Sequence, residues 1–283
     1  MRIDELLRGG TTHSFEFMPP KSDEESAVLE RTLADLEPLR PSFVSVTYRG
    51  GRESRQRTFD LVSQIQRGGR LTAMAHLICV GHSRAEMRDI LKNYVDAGVS
   101  NVMALGGDVP QNPDLVASEF VHAIELVELA RETGDFSIGV AAHPLGHPRS
   151  RDLASDRLYL AQKLELADFA VTQFFFLVEE WLSLVEELAA LGVNKPVLPG
   201  IMPVTTLAGI ERMTTMGSRV PQELVARLVA ADGRGGPKAV RAEGIRSAVE
   251  LCEQLLDARA PGLHFYTLNR SSATREIYAA LSH

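Results

Sequence analysis

The chain has 283 residues, 45% of them hydrophobic and 24% charged, which is enough to bury a large core and within the usual size of one α/β barrel domain. Its 30 Lys and Arg against 37 Asp and Glu give a formal net charge of -7, so no basic excess recommends a nucleic acid or an anionic membrane, and a small-molecule partner is expected. Cys79 and Cys252 form no CxxC pair, MRIDELLRGG has no apolar core ahead of a cleavage site, and no run nears the roughly 18 apolar residues of a membrane span, so a reducing, cytoplasmic setting is expected.

Short β-rich runs alternate with stretches of helical period. HSFEF (13–17) precedes a helix over 23–38, FVSVTY (43–48) one over 55–67, and LTAMAHLICV (71–80) one over 84–98. NVMAL (101–105) leads to a helix over 115–133, FSIGVAA (136–142) to one over 152–166, and FAVTQFFF (169–176) to one over 178–191. PVLPGI (196–201) is followed by a longer region, 204–259, holding two or three helices interrupted by DGRGGP at 232–237, and LHFYTL (263–268) closes the series. DGRGGP follows a helix and lacks the Lys-Ser/Thr ending of a phosphate loop, so it reads as a helix-to-helix linker. Eight strands in regular alternation with helices predict one (β/α)8 TIM barrel over 1–283.

Strand side chains alternate between faces. With Phe15 and Phe17 toward the helices, Ser14 and Glu16 point into the barrel; the same parity sends Ser45 and Thr47 inward, Val44, Val46 and Tyr48 outward, and Met74, His76 and Ile78 inward. FAVTQFFF places Gln173 inward together with Phe175, and LHFYTLNR adds Tyr266, with Asn269 and Arg270 just beyond the strand. A purely structural barrel core is filled by branched aliphatics, so Glu, Thr, His and Gln near strand ends indicate a site. The alternative for Glu16 is a salt bridge to an interior Arg or Lys.

Asp108 follows Gly106 and Gly107 after the fourth strand, where it is either a ligand-facing acid or an ordinary turn residue. His143 and His147 in AAHPLGHP have metal-pair spacing, but Pro144 and Pro148 oppose a helix there, so they read as ligand-facing loop histidines and no metal is expected. The loop 49–58 carries Arg49, Arg52, Arg55 and Arg57, facing either solvent or ligand anions, and Trp181 reads as helix packing. Neither GxSxG nor GxGxxG occurs, so serine hydrolysis and Rossmann-type dinucleotide binding lack their signatures.

Taken in order, SFEFMPPK (14–21), PSFVSVTY (41–48), AHLICVG (75–81), ALGGDVP (104–110), TQFFF (172–176), LPGIMPV (198–204) and HFYTLNR (264–270) resemble the methylenetetrahydrofolate reductase family in its bacterial, catalytic-barrel-only form. The resemblance implies reduction of 5,10-methylenetetrahydrofolate to 5-methyltetrahydrofolate for methionine synthesis, with NADH or NADPH as electron source and FAD as intermediary. It implies that Glu16 is the proton donor, Asp108 the loop acid, Gln173 the pterin-binding amide, and Tyr266, Arg270 and Thr47 substrate-site residues. His76, Gly107, Ala117, His143, His147, Asp156 and Lys163 fall at the family's cofactor positions. Folate and nicotinamide substrates follow, with no nucleic acid and no membrane; a homo-oligomer is compatible with this reading.

Chemistry gives the acid a reason of its own. The methylene bridge must open to an iminium before it accepts hydride, and opening requires protonation of the departing nitrogen, which a glutamic acid in an apolar surround supplies. This chain departs from the flavin-binding pattern at Gly106, where the family has Arg, at His143 in place of Tyr, and at Val116 and Tyr159, while Leu177 and Leu207 depart around the folate. Weak or absent FAD binding is therefore expected. The competing functions are a folate-dependent barrel methyltransferase and a non-catalytic folate-binding barrel.

Overall fold

The structure, a computed structural model, describes residues 1–48, 52–107, 118–269 and 272–281, with backbone alone at 52 and 53. Strands β1 (Thr12–Phe17), β2 (Phe43–Val46), β3 (Ala73–Ile78), β4 (Asn101–Leu105), β5 (Ser137–Ala142), β6 (Phe169–Phe174), β7 (Val197–Ile201) and β8 (Gly262–Tyr266) form a closed barrel in sequence order. Every pairing is parallel, including β8 with β1, as expected of a (β/α)8 TIM barrel.

Around it run α2 (Asp23–Leu36), α3 (Arg52–Gly68), α4 (Arg84–Asp96), α5 (Ala123–Thr133), α6 (Leu153–Leu166), α7 (Val178–Ala190), α8 (Leu207–Thr215), α9 (Gln222–Asp257) and α10 (Ser272–Leu281). Hydroxyl or carboxylate caps fix several starts: Ser22, Ser83, Asp152 and Thr206 accept from the backbone N–H of Glu25, Glu86, Ser155 and Gly209. The helix expected from residue 115 begins later, at Ala123. The Glu125 carboxylate accepts from the N–H groups of Val121 and His122 and sets that start, while 115–117 lie outside the described residues. DGRGGP acts as the expected break: Gly235 and Gly236 leave helical geometry inside α9, and Pro237 begins its second limb.

Two apolar layers result from strand alternation. Phe15, Phe17, Val44, Val46, Ala75, Val102, Val140 and Phe265 face outward into the core shared with the helices. Trp181 belongs to this layer, its indole N–H donating to Val197 O, as its packing role predicted. Inside, Phe43, Met74, Met103, Phe169, Val171 and Leu198 fill the lower barrel. Gly139 makes room for this packing, since a Cβ there would lie 2.7 Å from Phe169 Cε2 and 3.0 Å from Met103 Sδ.

The amino-terminal helix α1 (Ile3–Gly9) was not expected from the alternation, because seven residues carry too little periodicity. It closes the amino-terminal end of the barrel. Ile3 is fully buried in the inner cluster, and its N–H donates to Asn101 Oδ1 at 2.8 Å. The opposite end stays open to ligands. Both cysteines are free and buried, and no helix among the described residues is long and apolar enough to cross a membrane.

Candidate active site

A cavity of about 230 Å³ opens at the carboxyl ends of the strands. Met74, Met103 and Val171 line its apolar side; Glu16, His76, His143, Gln173, His264 and Tyr266 supply its polar groups. The inward parities expected for Glu16, His76, Gln173 and Tyr266 are therefore met. No Lys or Arg among the described residues lines the cavity, and the alternative of an interior salt bridge to Glu16 gives way to two histidines. His76 Nε2 lies 3.5 Å, and His264 Nε2 3.6 Å, from the same Glu16 Oε2.

The backbone around Glu16 is fixed by the segment after β8. Thr267 Oγ1 donates to Glu16 O at 2.6 Å, and the Asn269 side chain brackets Met18, accepting from its N–H at 2.8 Å and donating to its carbonyl at 2.9 Å. Burial lowers the pKa of His76, with Glu16 opposing and His264 reinforcing that shift. Its Nε2 is buried without a hydrogen-bond partner among the described residues. Burial likewise raises the Tyr266 phenol well above its ordinary pKa, reinforced by Glu16.

The end of β6 departs from strict alternation. A register shift between Val171 and Phe174 sets Phe174 against Gly200, so Phe174 lines the cavity and Phe175, expected inward, instead packs in the outer core. Polar side chains hold the irregularity. Thr172 Oγ1 accepts from Gly200 N–H at 2.8 Å, and the Tyr266 hydroxyl donates to Thr172 O at 2.7 Å. Gln173 Oε1 accepts from Phe174 N–H at 3.1 Å, while its Nε2 reaches Met216 O at 3.5 Å. Thr47 lies outside the cavity lining; its N–H donates to Phe17 O, and its buried hydroxyl has no partner among the described residues.

On the β5 side, His143 lines the cavity, with His147 set edge-on to it at 4.7 Å between ring centroids. Burial, reinforced by His147, depresses the His143 pKa to about 4. Asp156 and Lys163 lie behind this wall, outside the cavity lining. Asp156 Oδ1 accepts from His147 N–H and Ser150 Oγ, both at 3.0 Å, and Oδ2 pairs with Arg157 at 3.0 Å. Lys163 Nζ donates to Ala141 O at 3.1 Å, and burial lowers its pKa against the opposing field of Asp156. No group of histidine, cysteine and acidic side chains suited to a metal ion occurs among the described residues.

Sequence reasoning overlooked Arg157, which donates to the carbonyls of His143 and Pro144 and ties down the β5–α6 loop. It also overlooked His264, although its parity follows from Tyr266 two residues on. Asp108, Ala117 and Arg270 lie outside the described residues, as does Val116.

Gly107 is described, and its geometry explains its residue type. Its φ is +86°, and a Cβ would lie 2.2 Å from Ile78 Cγ2; its carbonyl accepts from Arg149 Nη2 at 3.0 Å. Gly107→Ala is expected to cost about 1–3 kcal/mol in unfolding free energy. Gly106→Ala should stay close to wild type, because a Cβ there would meet nothing among the described residues closer than Arg149 Nη2, 3.9 Å away. Equal denaturation midpoints for both variants would contradict this.

A barrel whose open strand ends gather one carboxyl, three imidazoles and an amide beside an apolar wall defines a TIM-barrel enzyme with a small-molecule site. The family profile described as methylenetetrahydrofolate reductase matches residues 2–282. The chain belongs to that family and is an oxidoreductase. It is 34% identical over 276 residues to the 5,10-methylenetetrahydrofolate reductase of Pectobacterium carotovorum subsp. carotovorum, covering 96% of this chain and 90% of that one. With the Salmonella typhimurium protein of the same name the identity is 32% over 273 residues, covering 96% and 90%. A structure of an uncharacterised Clostridium thermocellum protein that binds two copies of 5-methyl-5,6,7,8-tetrahydrofolic acid aligns with a TM-score of 0.68 at 12% identity, covering 97% of this chain and 96% of that one. That likeness concerns the fold alone.

Proposed function

We propose that the chain reduces 5,10-methylenetetrahydrofolate to 5-methyltetrahydrofolate with NADH or NADPH, and that hydride passes directly from nicotinamide to folate while both are bound. The observation that carries the reading is the Glu16 carboxyl, presented to a partly apolar cavity between two imidazoles. As the acid, Glu16 gives its proton to the departing bridge nitrogen. The carbon–nitrogen bond breaks with its electron pair moving to that nitrogen, the other nitrogen forms the iminium, and hydride adds to its carbon. Gln173 offers both an amide donor and an acceptor to the pterin. Asp108, Arg270, Thr47 and Tyr266 are assigned to the same substrate by resemblance. The volume of about 230 Å³ suits a reacting head group, leaving the ligand tails in the mouth.

The described residues at the family's FAD positions fit that cofactor poorly. Asp156 and Lys163 direct their polar groups to the β5–α6 segment and to Ala141 O, so their presence has a structural reason independent of a flavin. Gly106 supplies no side chain, and an arginine to a pyrophosphate contributes roughly 1.5–3 kcal/mol, or about 10- to 150-fold in affinity. His143, kept neutral by burial near neutral pH, adds no cation to replace it.

Absorption spectra of freshly purified protein and initial-rate kinetics test the reading. The expected result is protein without stoichiometric flavin, NAD(P)H oxidation that requires methylenetetrahydrofolate, and intersecting double-reciprocal lines from a ternary complex. Stoichiometric FAD, bleached by NAD(P)H before folate is added and reoxidised by it, would refute direct transfer. Failure to form 5-methyltetrahydrofolate with either nicotinamide would refute the reaction itself.

A further inference from the structure

Beside Glu16 lies a buried pair on which the proposed reaction makes no demand. Ser14 and His264 are 0% and 1% exposed, and Ser14 Oγ sits 2.8 Å from His264 Nδ1. The imidazole is confined by rings on two sides. Phe43 lies nearly parallel to it at 6.1 Å between centroids, and Tyr266 meets it edge-on at 5.3 Å. Its other nitrogen, Nε2, faces Glu16 Oε2 at 3.6 Å.

The Ser14 hydroxyl has one hydrogen and two neighbours, Leu263 O at 3.3 Å and His264 Nδ1. Only one arrangement satisfies both contacts: the hydroxyl donates to Leu263 O and accepts from Nδ1–H. Neutral His264 then carries its proton on Nδ1 and turns a bare Nε2 lone pair toward Glu16. At 3.6 Å the two atoms stand just beyond hydrogen-bond length, and a small approach of the Glu16 side chain lets a carboxylic acid donate to that lone pair. A carboxylate has no hydrogen to offer it.

We propose that Ser14 and His264 are positioning residues: Ser14 fixes the His264 tautomer, and the resulting Nε2 acceptor holds the Glu16 carboxyl in its proton-bearing form before transfer. The inference rests on Glu16 being the acid of the proposed reaction. The other titratable groups facing Glu16 among the described residues are His76 from β3 and Tyr266 from β8, and the Tyr266 hydroxyl already donates to Thr172 O. His264 is therefore the partner whose proton position the protein itself sets. Ser14→Ala frees the other tautomer, in which Nε2–H points at Glu16 and suits the carboxylate.

The test is the dependence of kcat on pH at saturating substrates for wild type, Ser14→Ala, Ser14→Thr and His264→Phe. Because the acid form is the one that works, loss of its acceptor should start the fall of kcat with rising pH about one pH unit lower in Ser14→Ala and His264→Phe. Ser14→Thr, which keeps a hydroxyl, should restore the wild-type profile. A role in packing alone would lower kcat at every pH and leave the limb in place, and that outcome overturns the proposal. If His264→Phe does not fold, Ser14→Ala and Ser14→Thr decide the matter. Glu16→Gln separates the two levels: near-normal turnover in that variant removes the acid itself, whereas an inactive Glu16→Gln with an unmoved Ser14→Ala limb removes only the assignment to Ser14 and His264.

Discussion

Replacing Glu16 by glutamine is expected to lower turnover by at least about 10²-fold, the lower range for loss of a general acid, while folate affinity stays within a few-fold of wild type. Glutamine keeps the shape of the side chain and its ability to hydrogen bond, but it carries no transferable proton. The surrounding groups do not supply a ready substitute. Burial disfavours protonation of His76, and the Tyr266 phenol is held well above its ordinary pKa with its hydroxyl engaged by Thr172 O. Steady-state rates beside a direct folate-binding measurement separate the two effects. Turnover near wild type would remove Glu16 from the mechanism, and a parallel loss of affinity would recast it as a binding residue.

The second large effect is expected in stability, at Arg157. Its guanidinium is buried, pairs with Asp156 at 3.0 Å and Glu187 at 2.5 Å, and donates to the carbonyls of His143 and Pro144 at 2.9 and 2.6 Å. Arg157→Met keeps most of the volume and removes every donor, leaving Asp156, itself only 7% exposed, without its cation. A loss of about 3–5 kcal/mol is expected, the range for breaking a buried pair by removing one partner. Equilibrium unfolding in urea checks it, with Arg246→Ala as comparison, because Arg246 is 59% exposed at the side chain and its pairs are screened by water. A loss below about 1 kcal/mol for Arg157→Met would show that the loop is held by other contacts. Since His143 lines the cavity from the same loop, turnover should also fall in any Arg157→Met protein that remains folded.

The fold was legible because it is built from two periodicities that single residues announce. Phe15 and Phe17 on one side of β1 and Glu16 on the other are a period of two, and a strand buried against helices has no other use for that pattern. The same parity placed His76, Gln173 and Tyr266 at the cavity. It carries as far as the sheet is regular. At Phe175 it failed, because the register shift between Val171 and Phe174 leaves Gln173 inward but brings Phe174 to the cavity and turns Phe175 to the outer core, and a shift is a relation between β6 and β7 that neither run shows by itself. The start of α5 was misplaced for a similar reason, since Glu125 sets it by reaching back to Val121 and His122 and not by any change in hydrophobic period.

The sequence by itself therefore determined the barrel, the parity of its strands, the inward carboxyl and, through seven ordered segments, the family resemblance. Those properties reside in local order along the chain, where spacing is preserved whatever the packing. Only the tertiary structure decided what each polar group faces. It set His76 and His264 on one oxygen of Glu16 and joined Ser14 to an imidazole 250 residues away. It also directed Asp156 and Lys163 to the β5–α6 segment and Ala141 O, outside the cavity lining. Hydrogen-bond partners depend on distances of a few tenths of an ångström between elements remote in the chain, and no periodicity encodes such distances.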